Sequence, residues 1–195
     1  MRWVVDDFLP QRFFHDIRDF ILSKQFKWVF GAVVYHPAEN GDTYPYMPDH
    51  EKNIYLDQKD DDWFLSRRIF DSQDRIQEQE WDVIRPIMYF IEDRLRFQVH
   101  ELLRVQVNCM LNQNRKRMHG FHNDRPDDHY VALYYLNTSL GAPTVFEDGE
   151  EVEHIENRLL FFRGGDMFEN KHSTNLPINT QRRAAININL KGEFF

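Results

Sequence analysis

Residues 129–162 read HYVALYYLNTSLGAPTVFEDGEEVEHIENRLLFF. Three features of this stretch decide the fold class. It breaks into short apolar or alternating runs at 129–136, 143–147, 151–155 and 158–162. Most of these runs are rich in Val, Leu, Tyr or Phe, the residue types that suit a pleated, half-buried strand, and 151–155 alternates polar and apolar residues. Turn chemistry separates them, at Leu140-Gly141-Ala142-Pro143 and at Asp148-Gly149. Working outward, runs of the same kind lie at 102–111 and 183–190, with Asn112–Gly120 and Gly164-Gly165-Asp166 as further turn-like stretches. Many short strands at this spacing predict a sandwich or barrel.

The N-terminal half has a different character. Phe13, Phe14, Ile17, Phe20 and Ile21 fall at helical spacing within 10–24, with Pro10 suited to a first turn. Phe26–Tyr35 reads as a strand. Residues 36–62 hold three prolines, several tyrosines and an acidic run, and read as a long ordered loop. A short helix is expected near Trp63–Phe70. Ser72–Arg96 is helical by pattern, with Trp81, Ile84, Ile87, Met88, Ile91 and Leu95 on one stripe. Pro86 either kinks that helix or starts a second one. The expectation is therefore one domain over 1–195, with helical and strand support in 1–100 and an all-β core in 101–191.

Composition bounds the function. The chain has 195 residues, 24 Lys and Arg against 32 Asp and Glu, a net charge of −8 and a pI near 5.6. Phosphate-backbone partners want a basic footprint, so this balance argues against nucleic acid. The hydrophobic share of 42% fits a globular chain. Cys109 is the only cysteine, which excludes an intramolecular disulfide and a cysteine zinc site and suits a reducing compartment. No apolar run approaches a transmembrane length, and the early Asp6-Asp7 pair is unlike a secretory signal. A cytoplasmic protein without a membrane partner is the expectation; oligomeric state is left open.

Two separated stretches carry the chemistry. In His122-Asn123-Asp124, residues i and i+2 would point to one side of an extended strand and could share a metal. With 9 histidines in the chain, one His-x-Asp carries little weight alone. His172, fifty residues on, could supply a third ligand from a distant strand. Two histidines and one carboxylate on one face leave adjacent positions open on Fe(II). Arg182-Arg183 precedes the strand 184–190, and a guanidinium fork matches a carboxylate. Strand parity separates the two arginines. Arg182 shares a face with Ile186, Ile188 and Leu190, and Arg183 shares one with Asn187 and Asn189. If the isoleucine face packs on the helices, Arg183 points into the polar pocket; Arg182 is the fallback.

Taken in order, these pieces resemble the Fe(II)/2-oxoglutarate-dependent dioxygenase superfamily and, within it, the prolyl-4-hydroxylase-like branch. The resemblance covers about residues 103–191 and runs through His122-x-Asp124, His172 and Arg183. It extends to Ala132–Asn137, which resembles a strand ending Tyr-Leu-Asn, and to Gly141–Phe146, which resembles Gly-Gly-x-Thr-x-Phe. Asn157–Phe162 resembles Arg-Leu-Leu-Phe-Phe, and Pro177 follows the second histidine. There are three departures. Ala142 replaces a glycine, the proline sits one place late, and Ala185 stands where many relatives carry a serine that helps hold the cosubstrate.

The resemblance implies a mainly β, cupin-like double-stranded β-helix, or jelly roll, braced by N-terminal helices. It implies that His122, Asp124 and His172 bind Fe(II), and that 2-oxoglutarate chelates it. The cosubstrate's distal carboxylate would meet Arg183, with Tyr135 donating a hydrogen bond and Thr144 lining the pocket. It further implies O2 as oxidant, ascorbate as a reductant, release of succinate and CO2, and hydroxylation of a C–H centre in a prolyl residue or an amino acid. Arg125, Tyr44 and Tyr46 are the substrate-contact expectations, with 36–62 as a lid and Arg115-Lys116-Arg117 as a basic loop near the site. Alternatives are a non-catalytic metal- or 2-oxoglutarate-binding module or sensor, a nucleic-acid demethylase of the same superfamily, and a zinc hydrolase.

Overall fold

The computed structural model describes residues 1–33, 62–114, 118–168 and 170–195. Tyr44, Tyr46, nearly all of the expected lid and the basic tripeptide 115–117 lie outside them. In chain order the elements are β1 (Arg2–Val5), α1 (Gln11–Ile21), β2 (Val29–Val33), β3 (Asp62–Asp71), β4 (Ile76–Gln77), α2 (Trp81–Ile84), α3 (Pro86–Leu95) and β5 (Phe97–Leu111). They continue with β6 (His129–Tyr135), β7 (Ser139–Phe146), β8 (Glu151–His154), β9 (Leu159–Gly164), β10 (His172–Thr174) and β11 (Arg182–Phe194). Two sheets result. The eight-stranded sheet has the order β1-β9-β6-β11-β5-β3-β2, with β4 on β3, and the three-stranded sheet has the order β10-β7-β8. This is a double-stranded β-helix braced by N-terminal helices.

Period-two alternation sorts side chains to the two faces of the large sheet. On one face Val105, Val107 and Cys109 of β5, Ala132 and Tyr134 of β6, Leu159 and Phe161 of β9, and Ile186, Ile188 and Leu190 of β11 are buried. They pack against Phe14, Ile17 and Ile21 of α1 and Ile87, Met88 and Ile91 of α3. On the opposite face Val131, Leu133, Tyr135, Leu160, Phe162 and Ala185 meet Phe146 and Val152 of the small sheet. The interior between the sheets therefore has an apolar floor at β6 and β9. Toward β11 and β5 it turns polar, at Arg183, Asn187, Asn189 and Arg104.

The N-terminal half holds more strand than the sequence pattern suggests. Trp63–Phe70 is strand β3, not a helix. It pairs with β5 from Phe64↔Met110 to Asp71↔Arg104, with a bulge between Arg68 and Phe70. A long neighbouring ladder outweighs local propensity here. The helical reading of Ser72–Arg96 is likewise too long. Asp71 Oδ1 accepts hydrogen bonds from the backbone N–H groups of Gln73 and Asp74 at 3.0 and 3.2 Å, and Arg75 adopts φ 56°. This side-chain-capped turn leads into β4 instead of a helix. Helix begins at Trp81, and Pro86 opens α3 at a first-turn position, where its missing N–H costs nothing. Arg2–Val5, which no pattern marked, adds an edge strand on β9.

Candidate functional site

The two histidines are joined through the backbone. His122 and His172 face each other in an isolated antiparallel bridge, each N–H donating to the other's carbonyl at 3.0 Å. Their rings lie 4.7 Å apart. The bridge brings a loop residue and the first residue of β10 together across fifty positions of sequence. Gly165, at φ 113°, makes the turn after β9 possible, since a Cβ there would lie 2.7 Å from the Asp127 carbonyl oxygen. One ligand atom from each of His122, Asp124 and His172 falls within 4.8 Å of the others.

The protonation states suit a metal. His122 Nδ1 lies 3.2 Å from the Gly120 carbonyl. A proton on that nitrogen makes Nε2 the ring's electron-pair donor. Burial pushes the His172 imidazole down to about 3, helped by His122 and Arg183 and opposed by Asp124. His172 is thus neutral at physiological pH, with Nδ1 buried and without a hydrogen-bond partner among the described residues.

Burial would raise the Asp124 carboxyl, yet Arg104, His172, His122 and Asn187 together hold it well below the usual carboxylate range. Its Oδ1 accepts from Arg104 Nη2 at 2.9 Å and Asn187 Nδ2 at 3.0 Å. Its Oδ2 accepts from Asn187 Nδ2 at 3.1 Å and Asn189 Nδ2 at 3.0 Å. Two imidazoles and an oriented carboxylate form a nitrogen and oxygen donor set that fits a divalent first-row metal.

Arg183 stands further inside the fold. It is 7% exposed. Its Nε donates to the Ala142 carbonyl at 3.0 Å and its Nη2 to Thr144 Oγ1 at 2.9 Å. The Tyr135 hydroxyl lies 2.7 Å from the same Thr144 oxygen, and the guanidinium sits 5.6 Å from the Tyr135 ring centre. Burial alone lowers the affinity of Arg183 for its proton and raises that of the Tyr135 phenol. No carboxylate of the described residues pairs with Arg183. A buried, uncompensated guanidinium is costly, and an anionic ligand would relieve it. Arg182, one residue earlier, points outward and is exposed.

The structure thus brings His122, Asp124 and His172 to one cluster, and Arg183, Tyr135 and Thr144 to a second. Arg125 joins neither: its Nε donates to Asp127 Oδ1 at 2.8 Å. Four residues were not singled out from the sequence. Asn187 and Asn189 carried a signal, since they share strand parity with Arg183. Arg104 carried a weaker one, as a polar residue alternating with buried Leu103 and Val105. The fourth, His154, gave none.

The fold and the site together define a class, the double-stranded β-helix proteins with a two-histidine, one-carboxylate cluster between their sheets. No family model matches the chain, and no curated protein matches it. Solved structures do. A Trichoplax adhaerens prolyl hydroxylase in complex with a hypoxia-inducible factor oxygen degradation domain peptide fragment matches 97% of this chain and 82% of its own, at TM-score 0.55 and 13% identity. The viral collagen prolyl hydroxylase of Paramecium bursaria Chlorella virus-1, in its 2-oxoglutarate complex, matches 97% and 94%, again at 0.55 and 13%. A Pseudomonas putida prolyl-4-hydroxylase matches 98% and 92%, at 0.52 and 13%. At such identities the likeness is one of fold. Among the described residues no helix is long and apolar enough to cross a membrane.

Proposed function

We propose that this chain is an Fe(II)- and 2-oxoglutarate-dependent dioxygenase that hydroxylates a C–H centre in a small-molecule or peptidyl substrate, a prolyl residue or an amino acid being the favoured class. The observation that carries this reading is the buried, carboxylate-free Arg183. It lies on β11, the strand that also sends Asn187 and Asn189 to Asp124. One strand thus serves both a metal-ligand cluster and a buried cation that no carboxylate of the described residues pairs. A 2-oxo diacid has the matching chemistry, with a chelating head and an anionic tail.

His122, Asp124 and His172 would hold the metal. Iron, 2-oxoglutarate and O2 together supply the oxidising chemistry, with succinate and CO2 as by-products and ascorbate as a reductant. The chain's own residues do the rest. His122 and His172 offer ring-nitrogen donors. Arg104, Asn187 and Asn189 fix the Asp124 carboxylate, so that little reorganisation accompanies metal entry. Arg183 pairs with the distal carboxylate, while Thr144 and Tyr135 offer hydroxyl groups beside it. Val131, Leu133, Phe146 and Phe162 line the apolar floor and exclude water.

Purified protein with Fe(II), ascorbate and 2-oxoglutarate is expected to release succinate slowly without substrate, and to show a thermal upshift with 2-oxoglutarate or N-oxalylglycine. A mass-spectrometric screen should then find a product heavier by one oxygen. Absence of both succinate and upshift would reject this function. Upshift without turnover of any substrate would favour a non-catalytic binding module.

A further inference from the structure

His154 belongs to neither cluster, yet it is buried as completely as any core residue, with 0% of its surface exposed. It ends β8 and projects inward from the small sheet. Its Nε2 lies 3.1 Å from the Ala184 carbonyl, so that nitrogen carries the proton and donates. Nδ1 then holds a lone pair, and it is buried without a hydrogen-bond partner among the described residues. Burial, reinforced by the nearby Arg183 charge, keeps the ring neutral. The ring lies against Tyr135, centroid to centroid 4.1 Å and tilted 35°.

Strand order locates His154 relative to the metal cluster. The small sheet runs β10-β7-β8, with His172 on β10, Thr144 on β7 and His154 on β8. Two strand spacings, about 10 Å, separate the first strand from the last. Arg183 and Tyr135 face this same interior from the large sheet. His154 therefore stands at its inner end, on the far side of Thr144 from the metal cluster.

A buried ring nitrogen that lacks a partner is destabilising, and an apolar side chain would avoid that cost. The lone pair does have a physical consequence. A carboxylate has only acceptor oxygens, so Nδ1 repels it. The Arg183 guanidinium and the hydroxyls of Tyr135 and Thr144 attract it. The ring lies against Tyr135 and reaches the carbonyl of Ala184, the residue after Arg183, so it occupies volume beside the guanidinium. We infer that His154 is a specificity-determining residue for the cosubstrate: it closes the inner end of the pocket and sets the length of 2-oxo diacid that fits between the metal cluster and Arg183. This inference rests on the cosubstrate reading given above.

Calorimetry on the full chain loaded with Mn(II) tests it, with oxaloacetate, 2-oxoglutarate and 2-oxoadipate as probes, each one methylene longer than the last. One methylene in a closed pocket is worth about tenfold or more. Unaltered protein is expected to prefer 2-oxoglutarate over 2-oxoadipate by at least about tenfold. In His154→Ala that preference should fall to about threefold or less, the scale left when the end stop is removed. His154→Val, smaller and suited to a strand, should do the same and stands in if the alanine variant does not fold. His154→Phe, which keeps the ring volume, should retain the preference. Unaltered protein that binds 2-oxoadipate as tightly as 2-oxoglutarate would overturn the inference without any variant. So would a folded small variant with the unaltered ratio. Failure of the unaltered protein to bind any of the three diacids would count instead against the dioxygenase reading itself.

Discussion

Arg104 and Arg183 reach into the same interior from neighbouring strands, and they are treated differently. Arg104 meets a carboxylate, Asp124, at 2.9 Å. Arg183 meets only a carbonyl and a hydroxyl oxygen. At the metal end the chain supplies its own anion and surrounds it with amide donors. At the inner end it buries a cation, and no anion of the described residues meets it. A fold that only needed stability would pair both or bury neither. On the proposed function, the difference is the reason an outside carboxylate would complete the charge balance at the inner end.

The largest effects are expected at the metal end. His122→Ala, His172→Ala or Asp124→Ala should each abolish Fe(II)-dependent succinate release. Each should also weaken Mn(II) binding by more than the 10–100-fold typical of losing a residue that merely supports a ligand. Titration of Mn(II) by electron paramagnetic resonance checks the second point independently of turnover. A variant that bound Mn(II) normally would show that its residue is no ligand.

The two arginines offer the sharpest break. Arg104→Met leaves the Asp124 carboxylate buried without its counter-charge and should cost about 3 kcal/mol of metal-free stability, the low end for breaking a buried pair. Arg183→Met removes a charge that has no partner, so metal-free stability should hold or rise. The cosubstrate should respond in the opposite sense. Arg183→Met is expected to weaken 2-oxoglutarate binding by about 2 kcal/mol, roughly thirtyfold, while leaving Mn(II) affinity in place. Urea unfolding and calorimetry on both variants decide it. Equal losses of stability would erase the contrast.

The histidines extend the comparison to pH. His172, at the metal end, has its folded pKa depressed to about 3, and His154, at the inner end, is depressed well below 6.5. In each case the unfolded chain takes up a proton before the folded one does. Stability of the metal-free protein is therefore full above about pH 6.5 and falls as pH drops toward 3. The slope approaches about 1.4 kcal/mol per pH unit for each histidine. His154→Phe should remove its share and leave that of His172. Unfolding curves across this range that show no slope would mean that one or both rings are protonated in the folded state.

Much of this contrast was legible before any coordinates. The parity of 183–190 puts Ile186, Ile188 and Leu190 on the helix-packed face and Arg183 with the asparagines, because a strand has only two sides. His122-x-Asp124 carries little weight alone and gains it from His172, Arg183 and the strand motifs that follow in order, although 122–124 form a loop and not the expected strand. The misread parts share one cause, dependence on partners far away in the chain. Trp63–Phe70 becomes a strand through its ladder with β5, some forty residues on. His154 sits in Glu151-Val152-Glu153-His154, which reads as an alternating strand with nothing to mark its fourth residue. Its meaning comes from Tyr135 and Ala184, which only the closed fold brings to it.

The smallest expected effect tests that parity directly. Arg182 carries the same charge as Arg183 and sits one residue earlier, but it is exposed and its side chain faces away from the interior. Its backbone carbonyl accepts hydrogen bonds from Asn137 Nδ2 at 2.9 Å and Thr180 Oγ1 at 3.2 Å, and a side-chain truncation leaves both in place. Arg182→Ala should therefore change stability by no more than about 0.5 kcal/mol, the usual range for a surface substitution, with 2-oxoglutarate affinity unchanged. Calorimetry beside Arg183→Met makes the comparison within one strand. Should Arg182→Ala weaken 2-oxoglutarate binding as much as Arg183→Met does, a long-range field would be drawing in the diacid, because a contact-made pairing must be lost at one parity and kept at the other.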